Sequence, residues 1–409
     1  MKLLQIHDQD CRLIGPPPRA QAGGGGIGVY LTTVCNGLLD RGHDVAMIRY
    51  SPDGPLVGGG GYYQLRSGSQ RLPAGGLDDL LSAARAESPD VIHLHSVYYA
   101  MHPRMIEVLL EHWPIVYTLH DVTPLCFRHT KLHPDGSLCS RAVGLSCLGG
   151  CYKLGSTASF VRDLFRVFNS RRHLRLYRRL PRLVVPSDYL RRTLIVNGFD
   201  TRRIQVLPQF SRVEPAASPP PSGGRRILYV GRLVREKGVL VFLHALAKLT
   251  TDDWTADIVG EGPLQREALD LAVQLEIEHR VRFHGPAGAE QLQHFYRAAS
   301  LVVVPSLIPE SFGLVGVEAM AFARPVVAFA AGGIPQWLED GRTGLLAPHG
   351  DVPALAACID RLLRDHDLAE RLGTAGAQAV QARFTLDHHL DGLLAIYRSA
   401  AGRSVEVAA

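Results

Sequence analysis

The 409-residue sequence has no long hydrophobic run and no sustained heptad repeat. Its longest apolar stretches, residues 301–305 and 325–331, fall far short of the roughly 18 residues that a membrane-spanning helix requires. The 41 glycines and 26 prolines are dispersed, which excludes a collagen-like chain. The N-terminus has a short apolar run followed by acidic residues, a pattern typical of a first strand and not of a signal peptide. We therefore expect a globular protein in the cytoplasm.

A large excess of one charge is also missing. The 44 lysines and arginines and 39 aspartates and glutamates leave a net charge of +5, which is too small to indicate a nucleic-acid partner. Hydrophobic residues make up 46% and charged residues 20%, as in chains that bury full cores, so a disordered protein is excluded. At roughly 150 residues per domain, the length predicts two domains.

Short apolar segments alternate with helix-like segments along the whole chain. Because these segments are apolar throughout, they predict parallel strands covered on both faces and an α/β fold. The Pro-, Ser- and Gly-rich residues 211–224 predict a linker between two doubly wound, Rossmann-like domains, residues 1–210 and 225–384. Residues 385–409 should form a helix that packs back on the first domain, followed by a tail. We expect the two domains to face each other across a cleft, with ligands at the C-terminal ends of strands.

A glycine run, AGGGGIGVYL at residues 22–31, follows the first strand and its loop and opens a helix. Glycines let a backbone approach an anionic ligand, and a helix N-terminus offers free N–H groups and partial positive charge. The run lacks the Lys-Ser/Thr of a P-loop and meets a dinucleotide fingerprint only loosely. It fits a phosphate contact and a flexible loop equally well.

Two cations mark the start of the second half. Arg232 follows a predicted strand, and Lys237 lies five residues further on, near the next helix. At such a corner an arginine offers paired donors and a lysine a point charge to a diphosphate. Two solvated surface cations are the alternative interpretation of this segment.

The segment PESFGLVGVE, residues 309–318, is the strongest functional pattern. Glu310 falls in the loop after a predicted strand, and Glu318 lies two turns inside the helix that follows. Eight residues of helix rotate by about 80°, so the two carboxylates should point to different parts of one ligand. The N–H groups at the start of that helix suit a phosphate. Taken singly, each glutamate would instead be assigned to a helix surface.

These motifs resemble, in order and spacing, those of the retaining glycosyltransferases of family 4: Arg232, Lys237, the GEGP turn at residues 260–263, and Glu310 with Glu318. The resemblance covers essentially the whole chain, including the HD of YTLHD at residues 117–121. It implies the GT-B fold and transfer of a hexosyl unit from a nucleoside-diphosphate sugar to a glycan or lipid-linked acceptor of the envelope or exopolysaccharide type. A nucleotide-sugar epimerase and a catalytically silent glycan-binding scaffold are the alternatives on this fold.

The resemblance also implies roles for individual residues. Glu310 and His120 would contact the transferred sugar, and Arg232 and Lys237 would neutralise the leaving diphosphate. The remaining contacts to the nucleotide sugar, with Glu318 on the ribose, would come from Gly25, Gly26, Gly260, Gly313, Leu314, Val315 and Glu318. Family members need no catalytic divalent metal, in keeping with two cations and a helix terminus at the diphosphate.

Two further segments lie outside this pattern. A loop-like insert over residues 123–155 contains Cys126, Cys139, Cys147 and Cys151. Four thiolates suit a structural zinc ion, with His129 and His133 as substitute ligands, whereas redox-active or reduced thiols, disulfides and an iron–sulfur cluster are the alternatives.

The second segment, residues 160–180, combines apolar residues at helical spacing with arginines. Between Arg162 and Arg182 there are eight arginines and one acid, Asp163. The pattern predicts either an ordinary amphipathic helix packed on the N-terminal sheet or an arginine-rich face for anionic lipid head groups on the inner side of the membrane.

Overall fold

A computed structural model describes residues 1–14, 19–22, 26–52, 61–68, 73, 75–126, 128–151, 157–213 and 224–402 of the chain. The chain divides into two compact units. The first unit contains Met1–Pro134, Cys139–Leu207 and the chain from Leu386 onward, and the second contains Asp135–Leu138 and Pro208–Thr385. Most of the predicted linker, residues 214–223, lies outside the described residues.

The first unit is built on a parallel sheet. Its strands are β1 (Lys2–His7), β2 (Cys11–Ile14), β3 (Arg19–Ala22), β4 (Asp44–Ser51), β5 (Tyr62–Arg66), β6 (Val91–His95), β7 (Ile115–Thr118), β8 (Arg182–Val185) and β9 (Ile204–Val206). Its helices, up to the linker, are α1 (Gly26–Asp40), α2 (Gly76–Glu87), α3 (Pro103–His112), α4 (Ser146–Cys151), α5 (Thr157–Tyr177) and α6 (Asp188–Val196). Seven strands pair in the order β5-β4-β1-β6-β7-β8-β9, and β2 and β3 form a separate antiparallel hairpin.

The second unit repeats the plan with a six-stranded parallel sheet. Its strands are β10 (Arg225–Val230), β11 (Trp254–Val259), β12 (Val281–Gly285), β13 (Leu301–Val304), β14 (Val326–Phe329) and β15 (Gly344–Ala347), in the order β12-β11-β10-β13-β14-β15. Its helices are α7 (Val239–Leu246), α8 (Gln265–Gln274), α9 (Ala289–Ala298), α10 (Leu314–Ala321), α11 (Val352–Arg364) and α12 (His366–Arg383). Both faces of the sheet are covered, since Ile227 and Tyr229 join one hydrophobic cluster and Leu228 of the same strand joins another.

The last helix, α13 (Leu386–Ala401), belongs to the first unit, where it packs on α1, β6 and β7. Arg41 at the end of α1 pairs with Asp387 at 2.7 Å and with Asp391 at 2.6 Å on this helix. None of the helices in the described part of the chain is long and apolar enough to cross a membrane.

Three local expectations were incomplete. The β2–β3 hairpin and β5 were not predicted, because strands of four or five residues with mixed polarity carry little periodic signal. Residues 352–382 have the sequence pattern of a single long helix, but the structure divides them into α11 and α12. Asp365 ends α11 and caps α12, because its side chain accepts a hydrogen bond from the Leu368 amide at 2.9 Å.

Candidate active site

Lys237 and Glu310 form an ion pair in the second unit. Lys237 ends a 3₁₀ turn (Arg235–Lys237) that follows β10, and its Nζ lies 2.6 Å from Glu310 Oε1. Ser306 Oγ donates a hydrogen bond of 2.5 Å to the same oxygen. The Glu310 carboxylate is buried, whereas about 29% of the Lys237 side chain is exposed. The cation therefore sits at the open side of a fixed carboxylate.

The pair is positioned by close packing of two loops. Gly238 has a φ of 75°, and a Cβ there would overlap the Pro305 carbonyl oxygen at the end of β13. The Leu307 amide also donates to the Glu236 carbonyl at 2.9 Å. Because only glycine permits this approach, the loop after β10 and the loop after β13 meet, and their side chains converge.

Arg232 lies on the same loop and is exposed. The ion pairs found within the described residues do not include it, so its guanidinium can meet an anionic ligand. Gly260 of the GEGP turn supports this loop, because with a φ of 137° its backbone lies directly against the Gly231 carbonyl. The Leu233 amide donates to the Glu261 carbonyl at 2.8 Å. The structure thus gives Gly260 a close packing contact.

The helix that carries Glu318, α10, begins after Gly313, whose φ is 96°. Trp337 Nε1 donates to the Phe312 carbonyl at 2.5 Å and fixes the entry to the helix. The first amides of any α-helix lack intrahelical acceptors, so those of Leu314 and Val315 are available to an anion at this end. The helix predicted to begin in this segment is confirmed, since α10 starts at Leu314.

Glu318 is buried and already has two partners. Arg212 Nε contacts its Oε1, and Tyr296 OH donates to its Oε2 at 3.1 Å. Burial works against the charge of Arg212, but the charge and hydrogen bond of Glu318 outweigh it and raise the Arg212 pKa. The Glu318 carboxylate is thus oriented by Tyr296 on α9 and by Arg212 at the start of the predicted linker.

His120 lies in the first unit, just after β7, and its ring is buried. Its Nε2 is 3.1 Å from His95 Nδ1. Burial is the main cause that lowers the pKa of His120 to about 3, so the ring is neutral at pH 7. The adjacent Asp121 caps a turn by accepting from the Thr123 amide at 2.8 Å. Gly26 is the first residue of α1, whereas Gly25 lies outside the described residues.

The four cysteines of the insert are all free thiols: Cys126, Cys139, Cys147 and Cys151. Burial raises the pKa of Cys147, and the nearby Cys126 and Cys139 raise it further. A metal site needs its ligands about 2.3 Å from one point, and no group of three or more His, Cys, Asp or Glu in the described residues could hold a metal ion. The zinc site proposed from the cysteine spacing is therefore not supported by the geometry.

The helix predicted in the arginine-rich segment is α5. Four large apolar side chains on it are exposed: Val161 at 60%, Leu164 at 39%, Phe165 at 55% and Phe168 at 64%. Arg162 and Arg166 lie between them in sequence, and both are exposed. We call these six residues the α5 surface.

Two family models match the chain: Glycosyltransferase Family 4 over residues 24–210 and Glycosyl transferases group 1 over residues 211–379. Together they span most of its length and correspond closely to its two parallel α/β units. The chain belongs to the family 4 glycosyltransferases and has their GT-B fold.

Known relatives agree with this assignment. The chain is 42% identical over 188 residues to the D-inositol 3-phosphate glycosyltransferase of Frankia alni, which covers 43% of this chain and 46% of that protein. The match thus spans about half the length of this relative. Among solved structures, sucrose-phosphate synthase from Thermosynechococcus elongatus is similar over 99% of this chain and 100% of that one, with a TM-score of 0.70 and 22% identity. Anabaena HepE in complex with UDP-glucose is similar over 98% and 100%, with a TM-score of 0.67 and 20% identity.

Sequence reasoning missed the residues that hold the two glutamates in place. Ser306 orients Glu310, while Arg212 and Tyr296 orient Glu318. Arg212 stands at the border of a Pro-rich segment, and 106 residues separate it from its partner. No local pattern marks such a pair. The one available signal was that Ser306 follows the end of a buried strand, because polar residues at that position of an open α/β sheet lie at its ligand-binding edge.

Proposed function

We propose that this protein is a retaining glycosyltransferase that moves a hexosyl unit from a nucleoside-diphosphate sugar to an envelope or exopolysaccharide-type acceptor. The observation that carries the proposal is the Lys237–Glu310 pair at 2.6 Å, formed by the loops after two neighbouring strands, β10 and β13. Ligands of open α/β sheets bind at this edge. A cation beside a carboxylate provides one group for a leaving diphosphate and one for a sugar.

Each side chain of the candidate site has an assigned role in this proposal. Arg232 and Lys237 balance the charge that develops on the diphosphate as the bond from the anomeric carbon to its oxygen breaks. The acceptor oxygen forms the new bond on the same face, and its proton passes to the departing phosphate oxygen. Glu310 and His120 hold hydroxyls of the transferred sugar, and Glu318 holds those of the ribose. Fixed groups of this kind stabilise the transition state because they need no reorganisation during the reaction.

Backbone groups complete the proposed nucleotide-sugar site. The amides of Gly313, Leu314 and Val315 bind a phosphate at the start of α10, and Gly25 and Gly26 of the glycine run add contacts to the diphosphate. The donor nucleotide is the first question for experiment. Because the similar Anabaena HepE was solved with UDP-glucose, UDP-glucose is the first donor to test.

A panel of UDP-, GDP- and ADP-sugars tests this function against its alternatives. A transferase releases the nucleoside diphosphate, an epimerase converts the sugar and leaves the nucleotide attached, and a silent scaffold does neither. We expect nucleotide release with one nucleotide series. Conversion without release, or no reaction with the whole panel, would contradict the proposal.

We further propose that the α5 surface contacts an anionic membrane and brings the enzyme to a lipid-linked acceptor. Exposed Phe165 and Phe168 can insert at the head-group boundary while the arginines of α5 meet lipid phosphates. Its basic charge favours an anionic lipid surface over a neutral partner. The whole of α5 holds five arginines, all exposed, against one acid, Asp163.

Vesicle co-sedimentation tests this contact. We expect binding to vesicles that contain phosphatidylglycerol, little binding to pure phosphatidylcholine, and loss of binding in the double variant Phe165→Ser/Phe168→Ser. The matched control is Leu269→Ser/Val273→Ser, which removes two exposed apolar side chains from α8. Equal binding by both double variants, or no dependence on lipid charge, would contradict the proposal.

A further inference from the structure

Buried hydrogen bonds join His120 to the last helix of the chain. His120 Nε2 lies 3.1 Å from His95 Nδ1, and His95 Nε2 lies 2.8 Å from Gln5 Oε1. The amide nitrogen of Gln5 faces Tyr397 OH at 3.4 Å, on α13. All four side chains are buried, so water does not compete for these contacts. The proposed transfer reaction assigns no role to Gln5, His95 or Tyr397.

The chain of contacts sets which nitrogen of each ring carries the proton. Burial lowers the pKa of both His95 and His120, so each ring is neutral and has one donor and one acceptor. Gln5 Oε1 can only accept, so His95 Nε2 donates to it and His95 Nδ1 is an acceptor. His120 Nε2 must then donate to His95, which leaves His120 Nδ1 with a free lone pair.

A second branch agrees with this direction. Tyr397 OH lies 2.6 Å from His93 Nδ1, and His93 Nε2 lies 2.7 Å from Thr118 Oγ1. If Tyr397 donates to His93, it can accept from the Gln5 amide nitrogen, which keeps the Gln5 oxygen towards His95. If every hydrogen bond in this series ran in the opposite direction, His95 would donate to His120 Nε2, and His120 Nδ1 would carry a buried N–H. A buried donor without an acceptor is the costlier arrangement.

Among the described residues, His120 Nδ1 is buried and has no hydrogen-bond partner. We propose that Gln5 and His95 are positioning residues that hold His120 as its Nε2–H tautomer, so that Nδ1 accepts a hydrogen bond from a hydroxyl of the transferred sugar. This inference rests on the proposed function, which supplies the sugar. It adds the direction of the contact and the residues that impose it.

The tautomer is measured directly by ¹⁵N NMR of the full chain labelled in its histidine rings, with His120→Asn used to assign the signal. We expect the Nε2–H form of neutral His120 at pH 7. An Nδ1–H form or a charged ring would overturn the inference. Because this spectrum needs no turnover, its failure is distinct from failure of the transferase proposal, which the nucleotide-sugar panel decides.

Kinetics test whether the tautomer matters. Gln5→Leu removes the acceptor of His95 and should give mixed tautomers at His120 and a kcat about 10-fold lower, as expected for one misdirected hydrogen bond. The affinity for free nucleoside diphosphate should stay within about 2-fold. Tyr397→Phe removes a single hydroxyl and should act in the same direction if Gln5→Leu fails to fold. The control is Tyr50→Phe, whose buried hydroxyl faces Met105. A changed tautomer with unchanged kcat would overturn the inference.

Discussion

Replacing Lys237 with alanine removes the cation proposed to balance the leaving diphosphate. In the structure its Nζ lies 2.6 Å from Glu310 Oε1, and Ser306 Oγ donates a hydrogen bond to the same oxygen. The contact to a diphosphate is charge-assisted, and loss of one such group costs about 2–4 kcal/mol in the transition state. At 1.36 kcal/mol per tenfold change, kcat/KM should fall by roughly 30- to 1,000-fold.

The assay is release of nucleoside diphosphate from the active donor, measured under subsaturating conditions. Lys248→Ala is the matched control, because Lys248 is exposed near the end of α7 in the same unit. A thermal unfolding curve for each variant separates loss of the charge from loss of the fold. If Lys237→Ala remains folded and keeps near wild-type kcat/KM, the assignment of Lys237 to the diphosphate is wrong.

Three further predictions concern the same sites and the stability of the fold. Glu318→Ala should mainly weaken nucleotide binding, whereas Glu310→Ala should mainly lower kcat; calorimetry with UDP and GDP checks this, and equal losses of affinity would mean that the roles are wrongly divided. Gly238→Ala should reduce the free energy of unfolding by about 3 kcal/mol or more, because the new Cβ would overlap Pro305. Gly285→Ala should cost about 1 kcal/mol, because Gly285 has a similar φ but open space around it. Urea titrations measure both losses, and similar values would contradict the close packing at Gly238. Burial lowers the pKa of His7 to about 4, so the unfolded chain binds a proton below pH 6.5 that the folded chain does not. Between pH 6.5 and 5, the free energy of unfolding should fall by about 1.6 kcal/mol more in the wild type than in His7→Leu. An equal pH dependence of the two proteins would contradict this.

The sequence predicts most strands of the two parallel sheets well, whereas the order of the strands comes from the structure alone. Strands β13 and β14 are apolar at every position because helices cover both faces, so each one stands out as a short hydrophobic run. The β2–β3 hairpin has alternating buried and exposed residues over only four positions per strand, which is too short to distinguish from a loop. The break between α11 and α12 depends on one capping side chain, Asp365, within an otherwise helical stretch.

For the candidate site, the sequence predicts only the relations between residues that are close along the chain. Glu310, Glu318 and the start of α10 belong to one continuous segment, so their relation to the helix is fixed by the sequence around them. The partners Arg212 and Tyr296 come from other elements, and only tertiary packing brings them to Glu318. The cysteine spacing was compatible with zinc, but spacing alone does not bring thiols to a common point.

The reaction proposed for this chain cleaves a nucleoside-diphosphate sugar and retains the anomeric configuration. This is tested by ¹H NMR of the sugar product during the first turnovers with the active α-linked donor. The Lys237→Ala variant, measured in a separate sample, serves as a low-activity reference. We predict that the α-anomer forms first and that the variant forms it much more slowly. Initial formation of the β-anomer, or no cleavage of any nucleotide sugar, would contradict it.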